Sequence, residues 1–410
     1  MDAEQLEQAY RAEATRLRAT LARRLGDVGL AEEVVQDAFV EAMEHWSTAG
    51  VPANPGGWLT TTAWHKALDR QRRARVGREK LALLAITQDR AGSGTAAARP
   101  ADFADTADDD LLSLVFACCH PALPTDSQVA LTLRSVCGLT TAEIAAAFLV
   151  SEQTMGQRLS RARRALRDAG APVRIPDPDE LGDRLAAVLA VVYLVFNEGY
   201  LASTGTTPAR RDLAAQAVSL ARLLYRLMPR EPEVLGLLAL LLLHESRSAT
   251  RFDGWGRLVR LADQDRRRWD HHLAAEATSL LDRALALRQP GPYQVQAAIA
   301  ALHAAAPDYQ QTDWWQIRLL YDRLQLLMPS PVVLLNRAVA TRFAVGPAQA
   351  LAEVEPLAGE LASYRLFHVV RAEFLTALGR TADARAANER ALALAANPAE
   401  RELIARRLSG

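Results

Sequence analysis

The sequence of 410 residues has few cysteines and no long uninterrupted apolar run. Its three cysteines, Cys118, Cys119 and Cys137, are too few and too close together for a disulfide framework, which fits a reducing compartment. The most apolar segments, 185–196 and 234–243, are shorter than the roughly 20 residues that a membrane-spanning helix needs. The N-terminus, MDAEQLEQ, lacks the features of a secretory signal. These absences predict a cytoplasmic chain with no membrane segment.

Net charge is also absent, because 48 basic residues balance 48 acidic ones. A zero balance argues against a protein that coats nucleic acid nonspecifically. The charges are unevenly distributed, with basic runs at 70–80 and 158–167 and an acidic run at 102–110. Half of the residues are hydrophobic, and the length suffices for two to four globular domains with their own cores.

Two short helices joined by a turn are predicted between residues 140 and 168. In the second helix a single apolar stripe faces one way, and arginines cover much of the remaining surface. The stripe consists of Met155, Leu159, Ala162 and Leu166, and the arginines are Arg158, Arg161, Arg163, Arg164 and Arg167. Ser151 stands where it can cap this helix. The pattern predicts a helix-turn-helix whose second helix enters a DNA major groove, and an ordinary hairpin with a solvated basic face is the alternative.

Three further helices are predicted before residue 85. The first covers residues 3–25 and is expected to stop at Gly26. The second covers 30–46, with an apolar face turned inward and an acidic face left exposed for a basic or polar partner. Its exposed acids are expected to be Glu32, Glu33, Asp37, Glu41 and Glu44.

The third helix starts near Trp58 and changes from aromatic to strongly basic along its length. It contains Trp58, Trp64 and His65, followed by Lys66, Arg70, Arg72, Arg73, Arg75 and Arg78. Flat rings can hold unpaired bases, and cations can neutralise the phosphate backbone, so this mixture suits a surface that grips separated DNA strands. The alternatives are a core position for each tryptophan and a solvated face for the arginines.

Three stretches together resemble regions 2 and 4 of a bacterial RNA polymerase sigma factor of the extracytoplasmic-function type. They are GDVGLAEEVVQDAFVEAMEHW, NPGGWLTTTAWHKALDRQRR and LTLRSVCGLTTAEIAAAFLVSEQTMGQRLSRARRAL. Two separated motifs in the right order are more specific than either motif alone. The resemblance implies an all-α protein that binds core RNA polymerase and promoter DNA, with no catalytic activity, cofactor or metal of its own. The alternative is a helix-turn-helix repressor or activator fused to a helical scaffold.

The resemblance also assigns residues to three surfaces. Core polymerase would be contacted by Glu33, Asp37, Phe39 and Glu41. The minus-10 element would be contacted by Trp58, Trp64, His65, Lys66, Arg70, Arg72 and Arg73. The minus-35 element would be contacted by Ser151, Gln153, Gln157, Arg158, Ser160, Arg161, Arg163 and Arg164. Of these, Gln157, Ser160 and Arg161 would face base edges, and Arg158, Arg163 and Arg164 would lie nearer phosphates. Gly156 departs from the family, which often has arginine there.

Four segments follow from these assignments: region 2 at 1–85, a flexible acidic linker at 86–110, region 4 at 111–170 and a helical extension at 171–410. In such sigma factors the linker runs towards the active-site channel of the polymerase. Its carboxylates, Asp102, Asp105, Asp108, Asp109 and Asp110, would then occupy a path meant for RNA. A solvated tether is the alternative.

The extension contains a weak internal repeat, in which a helix ends in Leu-Met-Pro and another apolar helix follows. The two copies begin at Leu223 and Leu320, and the segment around 372–392 has tetratricopeptide-like spacing. This predicts a tetratricopeptide-like solenoid. It resembles the extension of one sigma subgroup, in which it modulates sigma activity in place of an anti-sigma protein. The solenoid is expected to contact the sigma modules or the polymerase.

Two unusual patches in the extension leave a ligand or partner site open. One places Asn197 and Glu198 at the end of an apolar helix. The other crowds Asp263, Asp265, Arg266, Arg267 and Trp269 around a helix start. The alternative is a helix end capped by Gly199 and a capped helix with internal ion pairs. His244, Glu198 and the pair at 271–272 form no pattern with catalytic spacing. Cys118, Cys119 and His120 are more consistent with small core residues than with a zinc site.

Overall fold

The computed structural model describes residues 3–84, 107–148, 150–200 and 209–409. Throughout these residues the regular secondary structure is helical, which confirms the predicted all-α class. The chain divides into two compact units, Met1–Val191 and Val192–Gly410.

The described residues of the first unit form seven helices and most of an eighth. They are α1 (Ala3–Leu25), α2 (Val28–Ala49), α3 (Pro55–Leu84), α4 (Ala107–Cys118), α5 (Thr125–Ser135), α6 (Thr141–Phe148), α7 (Glu152–Asp168) and α8 (Pro178–Tyr200). Helix α1 ends where Gly26 adopts a φ of +66°, a conformation that favours glycine. Asp27 then caps α2, because its carboxylate accepts hydrogen bonds from the backbone N–H groups of Gly29 and Leu30.

Helix α4 covers the last residues of the predicted linker. Asp110 is buried there and accepts hydrogen bonds from Thr20 Oγ1 at 2.7 Å and from the Arg23 guanidinium at 2.6 Å. Residues 107–110 therefore belong to a packed helix rather than to a flexible segment. Asp102 and Asp105 lie outside the described residues.

The cysteines of α4 are part of the core. Cys118 and Cys119 are fully buried, and burial raises the pKa of the Cys119 thiol to about 12. The Cys119 sulfur lies 3.6 Å from Thr132 Oγ1 on α5. Both thiols are thus held in their neutral, packed form.

The second unit is a succession of helices in which neighbours along the chain pack against each other. They are α9 (Arg211–Leu227), α10 (Pro232–Glu245), α11 (His271–Ala286), α12 (Pro292–Ala305), α13 (Trp314–Leu327), α14 (Pro331–Ala344), α15 (Pro347–Val354), α16 (Arg365–Ala377), α17 (Thr381–Leu394) and α18 (Pro398–Ser409). Packing mainly between near neighbours along the chain is typical of a helical solenoid.

The predicted Leu-Met-Pro repeat has a structural counterpart. Met228 and Met328 end α9 and α13 with similar dihedral angles, φ −132° and ψ 61° against φ −143° and ψ 76°. In each copy a proline soon begins the next helix, where its missing N–H costs nothing. The repeat therefore specifies the same type of junction between two helices at α9–α10 and at α13–α14.

Candidate nucleic-acid and polymerase interface

Helix α7 is fixed by the apolar stripe that its sequence predicts. Met155, Leu159, Ala162 and Leu166 are each at most 6% exposed. Ser151 caps the helix, since its Oγ accepts a hydrogen bond from the backbone N–H of Thr154 at 3.1 Å. The predicted stripe and cap are both confirmed.

Helix α6, which precedes it, begins with a reciprocal cap. The Thr140 backbone N–H donates to the Glu143 carboxylate at 2.7 Å, and the Glu143 N–H donates to Thr140 Oγ1 at 3.1 Å. Ile144 anchors the helix in the core. Two capped helices joined by a short turn form a helix-turn-helix.

Opposite the buried stripe, α7 presents polar side chains to solvent. Exposed positions are Ser151, Gln153, Gln157, Ser160, Arg161 and Arg164, and half-buried ones are Arg158 and Arg163. The guanidinium of Arg158 lies over the Phe148 ring, 5.2 Å from its centroid. A rigid helix with one polar, mostly cationic face is suited to a DNA groove.

The predicted minus-10 residues on α3 fall into three groups. Trp58 is partly exposed and stacks on His45, with ring centroids 5.8 Å apart. Trp64 is buried at 9% exposure, so its ring packs in the core of this part of the chain. His65, Arg72 and Arg73 are exposed.

The remaining two, Lys66 and Arg70, bind acidic residues of α2. Lys66 Nζ lies 2.6 Å from the Glu41 carboxylate, and Arg70 reaches Glu33 at 2.7 Å and Asp37 at 2.6 Å. The predicted minus-10 cations and the predicted polymerase-facing acids thus form one ladder along α2 and α3.

Two exposed apolar residues on α2 add to its surface, and the sequence pattern did not single them out. Val40 and Met43 are 50% and 53% exposed, and Gln36 lies one turn before them. Phe39, a predicted polymerase contact, is instead only 7% exposed. Exposed apolar side chains on a helix rimmed by charges are typical of a protein-binding surface.

Comparison with known proteins identifies the family to which these two groups of helices belong. The family model for Sigma-70 region 2 matches residues 9–76, and the model for Sigma-70 region 4 matches residues 113–166. These segments contain the α2–α3 ladder and the helix-turn-helix. The chain belongs to the sigma-70 family of RNA polymerase sigma factors.

The extension of this sigma factor matches a family of unknown function, DUF6596, over residues 184–285. An uncharacterized protein of Rhizobium meliloti (strain 1021) is 46% identical over 393 residues, which cover 94% of this chain and 90% of the relative. No solved structure matches the chain. The sigma-70 regions establish promoter recognition and transcription initiation with core RNA polymerase as the function. In the portions of the chain that the structure describes, every helix is too short or too polar to cross a membrane.

Regions 2 and 4 of this sigma factor pack against each other within the first unit, through a residue that the sequence pattern placed wrongly. Glu32 was expected on the exposed flank of α2, but it is 3% exposed. One carboxylate oxygen accepts a hydrogen bond from Arg134 Nε at 2.5 Å, and the other accepts one from Arg163. Asp27 pairs with Arg167 at 3.7 Å beside it. A minus-35 candidate on α7 is therefore held by the helix of region 2.

The unusual patch at residues 263–269 of the extension separates into local ion pairs and buried side chains. Arg260 pairs with Asp263, and Arg267 pairs with Asp265, which also caps a short 3₁₀ turn. Arg266 and Trp269 from the same segment are buried. These local ion pairs agree with the alternative of a capped helix with internal ion pairs. The side chains of Arg266 and Trp269 instead point into the interior of the second unit.

Proposed function

We propose that this sigma factor reads the minus-35 element with the exposed face of α7 and opens the minus-10 element with α3. The observation that carries the proposal is the division of α7 into a fully buried stripe and an opposing polar face. In this scheme Gln157, Ser160 and Arg161 contact base edges, because they are the exposed polar groups near the middle of the helix. Arg164, at the far end, contacts phosphate, and Ser151 and Gln153 contact the backbone near the start.

On α3, the proposed strand-opening groups are Trp58, His65, Arg72 and Arg73. Trp58 has a partner ring, His45, from which an unpaired base could displace it. Trp64, which is buried, supports the helix from behind. Lys66 and Arg70 are proposed to serve both partners, since they neutralise α2 acids and are close in sequence to the exposed Arg72 and Arg73.

Helix α2 is the proposed polymerase-binding surface. Its exposed acids are held in place by α3, so they are presented with little loss of side-chain freedom. Val40 and Met43 extend this surface with apolar area. Phe39 is proposed to act indirectly, by anchoring α2 to the core.

The packed arrangement of regions 2 and 4 is proposed to be the unbound form. The minus-35 and minus-10 elements are about 25 base pairs apart by their names, or roughly 80 Å along B-form DNA. In contrast, Glu32 of α2 and Arg163 of α7 are in direct contact. One chain cannot span both elements while this contact persists, so polymerase binding must separate the regions and release Arg163 for phosphate.

The extension is proposed to modulate these steps through a contact with the sigma modules or with polymerase, and the chain as a whole is proposed to have no catalytic activity. Support comes from the second unit itself, a succession of packed helices carried on the same chain as the sigma modules.

The test is reconstituted transcription with core bacterial polymerase on promoter DNA selected by this protein. Wild-type chain should support initiation at defined start sites. A double variant, Val40→Asp and Met43→Asp, should lose core binding and transcription, whereas Val51→Asp, also at an exposed apolar residue, should keep both. Tight duplex binding without core binding by the wild-type chain would contradict the proposal.

A further inference from the structure

The second unit contains a partly open cavity of about 440 Å³ among α8, α10, α12, α13, α14 and the segment that leads into α11. That volume is in the range of small-molecule sites in proteins. Residues from Tyr193 to Asn336 contribute to its wall, so the solenoid must be folded for the cavity to exist.

The wall is mostly apolar. Its aliphatic side chains include Leu240 and Leu243 of α10, Ile299 of α12, Leu324 of α13 and Val333 of α14. Aromatic rings from Tyr193, Trp269 and Tyr321 complete the surface. Such a lining favours a ligand with an apolar or aromatic body.

The charge on the described wall of the cavity is positive. Among the described residues that line the cavity, Arg247 is the cation and no residue is Asp or Glu. Arg247 hydrogen-bonds His244 Nδ1 at 3.2 Å, and within the described chain no carboxylate lies in ion-pair distance of it. Arg222 and Arg337 of the same unit differ, since Arg222 pairs with Glu276 at 2.6 Å and Arg337 pairs with Asp322 at 2.5 Å.

Several buried polar atoms beside the cavity lack a hydrogen-bond partner in the described residues. They are Arg247 Nε, Trp269 Nε1 and His303 Nδ1. Trp269 is 5% exposed, so its N–H is well removed from bulk solvent. Groups of this kind normally have a partner, so these three atoms are available to a ligand in the cavity.

The two histidines add hydrogen-bonding capacity without charge. Burial, followed by the nearby Arg247, lowers the pKa of His303 to about 3, and the same causes lower the pKa of His244 well below its usual value. Both rings are therefore neutral at physiological pH. Arg247 thus supplies the one formal charge among the described lining residues.

We propose that this cavity binds a small monocarboxylate with an apolar or aromatic body, with the carboxylate on Arg247 and the body between α10 and α12. A carboxylate matches the planar guanidinium and would neutralise a half-buried charge that otherwise contacts His244 and the Tyr200 ring. A single arginine balances one negative charge, which favours a monoanion over a phosphate dianion. The proposal is independent of the promoter-contact residues proposed for α2, α3 and α7.

The experiment is calorimetric titration of the full chain with octanoate, benzoate and indole-3-acetate, each compared with its neutral amide and with inorganic phosphate. At least one carboxylate should bind saturably and raise the unfolding midpoint of the second unit. Its amide and phosphate should bind about tenfold more weakly or not at all, because a charge-assisted bond is lost or the charge is mismatched.

Two variants test the site, and one serves as a matched control. Arg247→Met should weaken the carboxylate about tenfold or more. Ala300→Phe, which fills the cavity and keeps Arg247, should also block binding. Arg267→Met should bind normally, because Arg267 is 90% exposed and pairs with Asp265. Failure of all three carboxylates to bind wild type, equal binding of the amides, or normal binding by a folded Ala300→Phe variant would overturn the proposal.

Discussion

Glu32 on α2 and Arg163 on α7 are 131 residues apart in sequence and form an ion pair that is largely shielded from solvent. The same carboxylate binds Arg134, so one buried acid joins region 2 to two helices of region 4. A charge removed from water must be matched by partners of good geometry, and here two guanidinium groups supply them. The pair links the core of the first unit to the face of α7 that is proposed to bind DNA.

Replacement of Glu32 tests the energetic weight of this contact. Glu32→Gln leaves two arginines without their buried carboxylate and should lower the free energy of unfolding of the first unit by about 3 kcal/mol. The adjacent Glu33→Gln removes a pair whose carboxylate is 62% exposed, and should cost less than about 1 kcal/mol. Chemical denaturation of both variants gives the comparison. Equal effects would mean that the buried pair does not hold the regions together.

Two arginines of α7 should differ in how they recognise DNA. Arg161→Ala should cost about 1–3 kcal/mol on the cognate minus-35 sequence and relax base preference, because Arg161 lies at the exposed centre of the helix. The side chain of Arg164 is 77% exposed. Arg164→Ala should weaken binding to all DNA sequences alike and reduce the salt dependence of the binding constant. Binding of holoenzyme to cognate and scrambled promoters over a range of salt measures both effects. The assignment fails if each variant loses cognate and scrambled DNA equally.

Two helical glycines should respond oppositely to alanine. A Cβ at Gly156 of α7 meets no atom within 4 Å, so Gly156→Ala should stabilise that helix by about 0.5–1 kcal/mol. A Cβ at Gly236 of α10 would lie 2.7 Å from the backbone nitrogen of Gln294, so Gly236→Ala should destabilise α10 by about 1–3 kcal/mol. Amide hydrogen exchange resolves the two helices separately. A loss of protection in α7 of Gly156→Ala would contradict the described geometry.

The second unit should lose stability in mild acid because of His303. Its pKa, about 3 in the folded chain, lies below the value near 6.5 expected when unfolded. The unfolded state therefore gains the proton first, and stability present above pH 6.5 falls by about 1.4 kcal/mol per pH unit as the pH drops towards 3. Between pH 7 and 5, the free energy of unfolding measured by chemical denaturation should decline less steeply in the His303→Phe variant than in wild type. His271→Phe, at an exposed position, should retain the wild-type slope, and identical slopes in all three would refute the origin in His303.

The sequence predicted those features that depend on residues close together in the chain. The α7 stripe repeats every three or four residues, and Ser151 acts within one turn, so both were visible without a structure. Trp58 and Trp64 could not be told apart, because their different exposure depends on how α3 packs on its neighbours.

Features made by distant segments were not predictable in this way. Glu32 has the same local pattern as the exposed acids around it, and only Arg134 and Arg163, more than 100 residues away, account for its burial. Arg247 similarly has nothing in its local sequence to indicate a cavity, because the wall also needs Tyr193 and residues beyond 290. Contacts between charges or rings that are far apart in the sequence do not recur at a regular spacing, so a search for periodic patterns does not reveal them.

The most direct test of the account is the distance between region 2 and region 4 before and after polymerase binding. Spin labels at Val51→Cys, after α2, and Ala169→Cys, after α7, would report it by pulsed electron resonance, with Cys137 replaced by serine. The free chain should give a single distance close to the length of α2, about 35 Å, because the first turns of α2 contact α7 and Val51 follows its last turn. The complex with core polymerase and promoter DNA should give a distance longer by several tens of ångströms, on the order of the promoter spacing. An unchanged distance in a complex that transcribes would contradict the account.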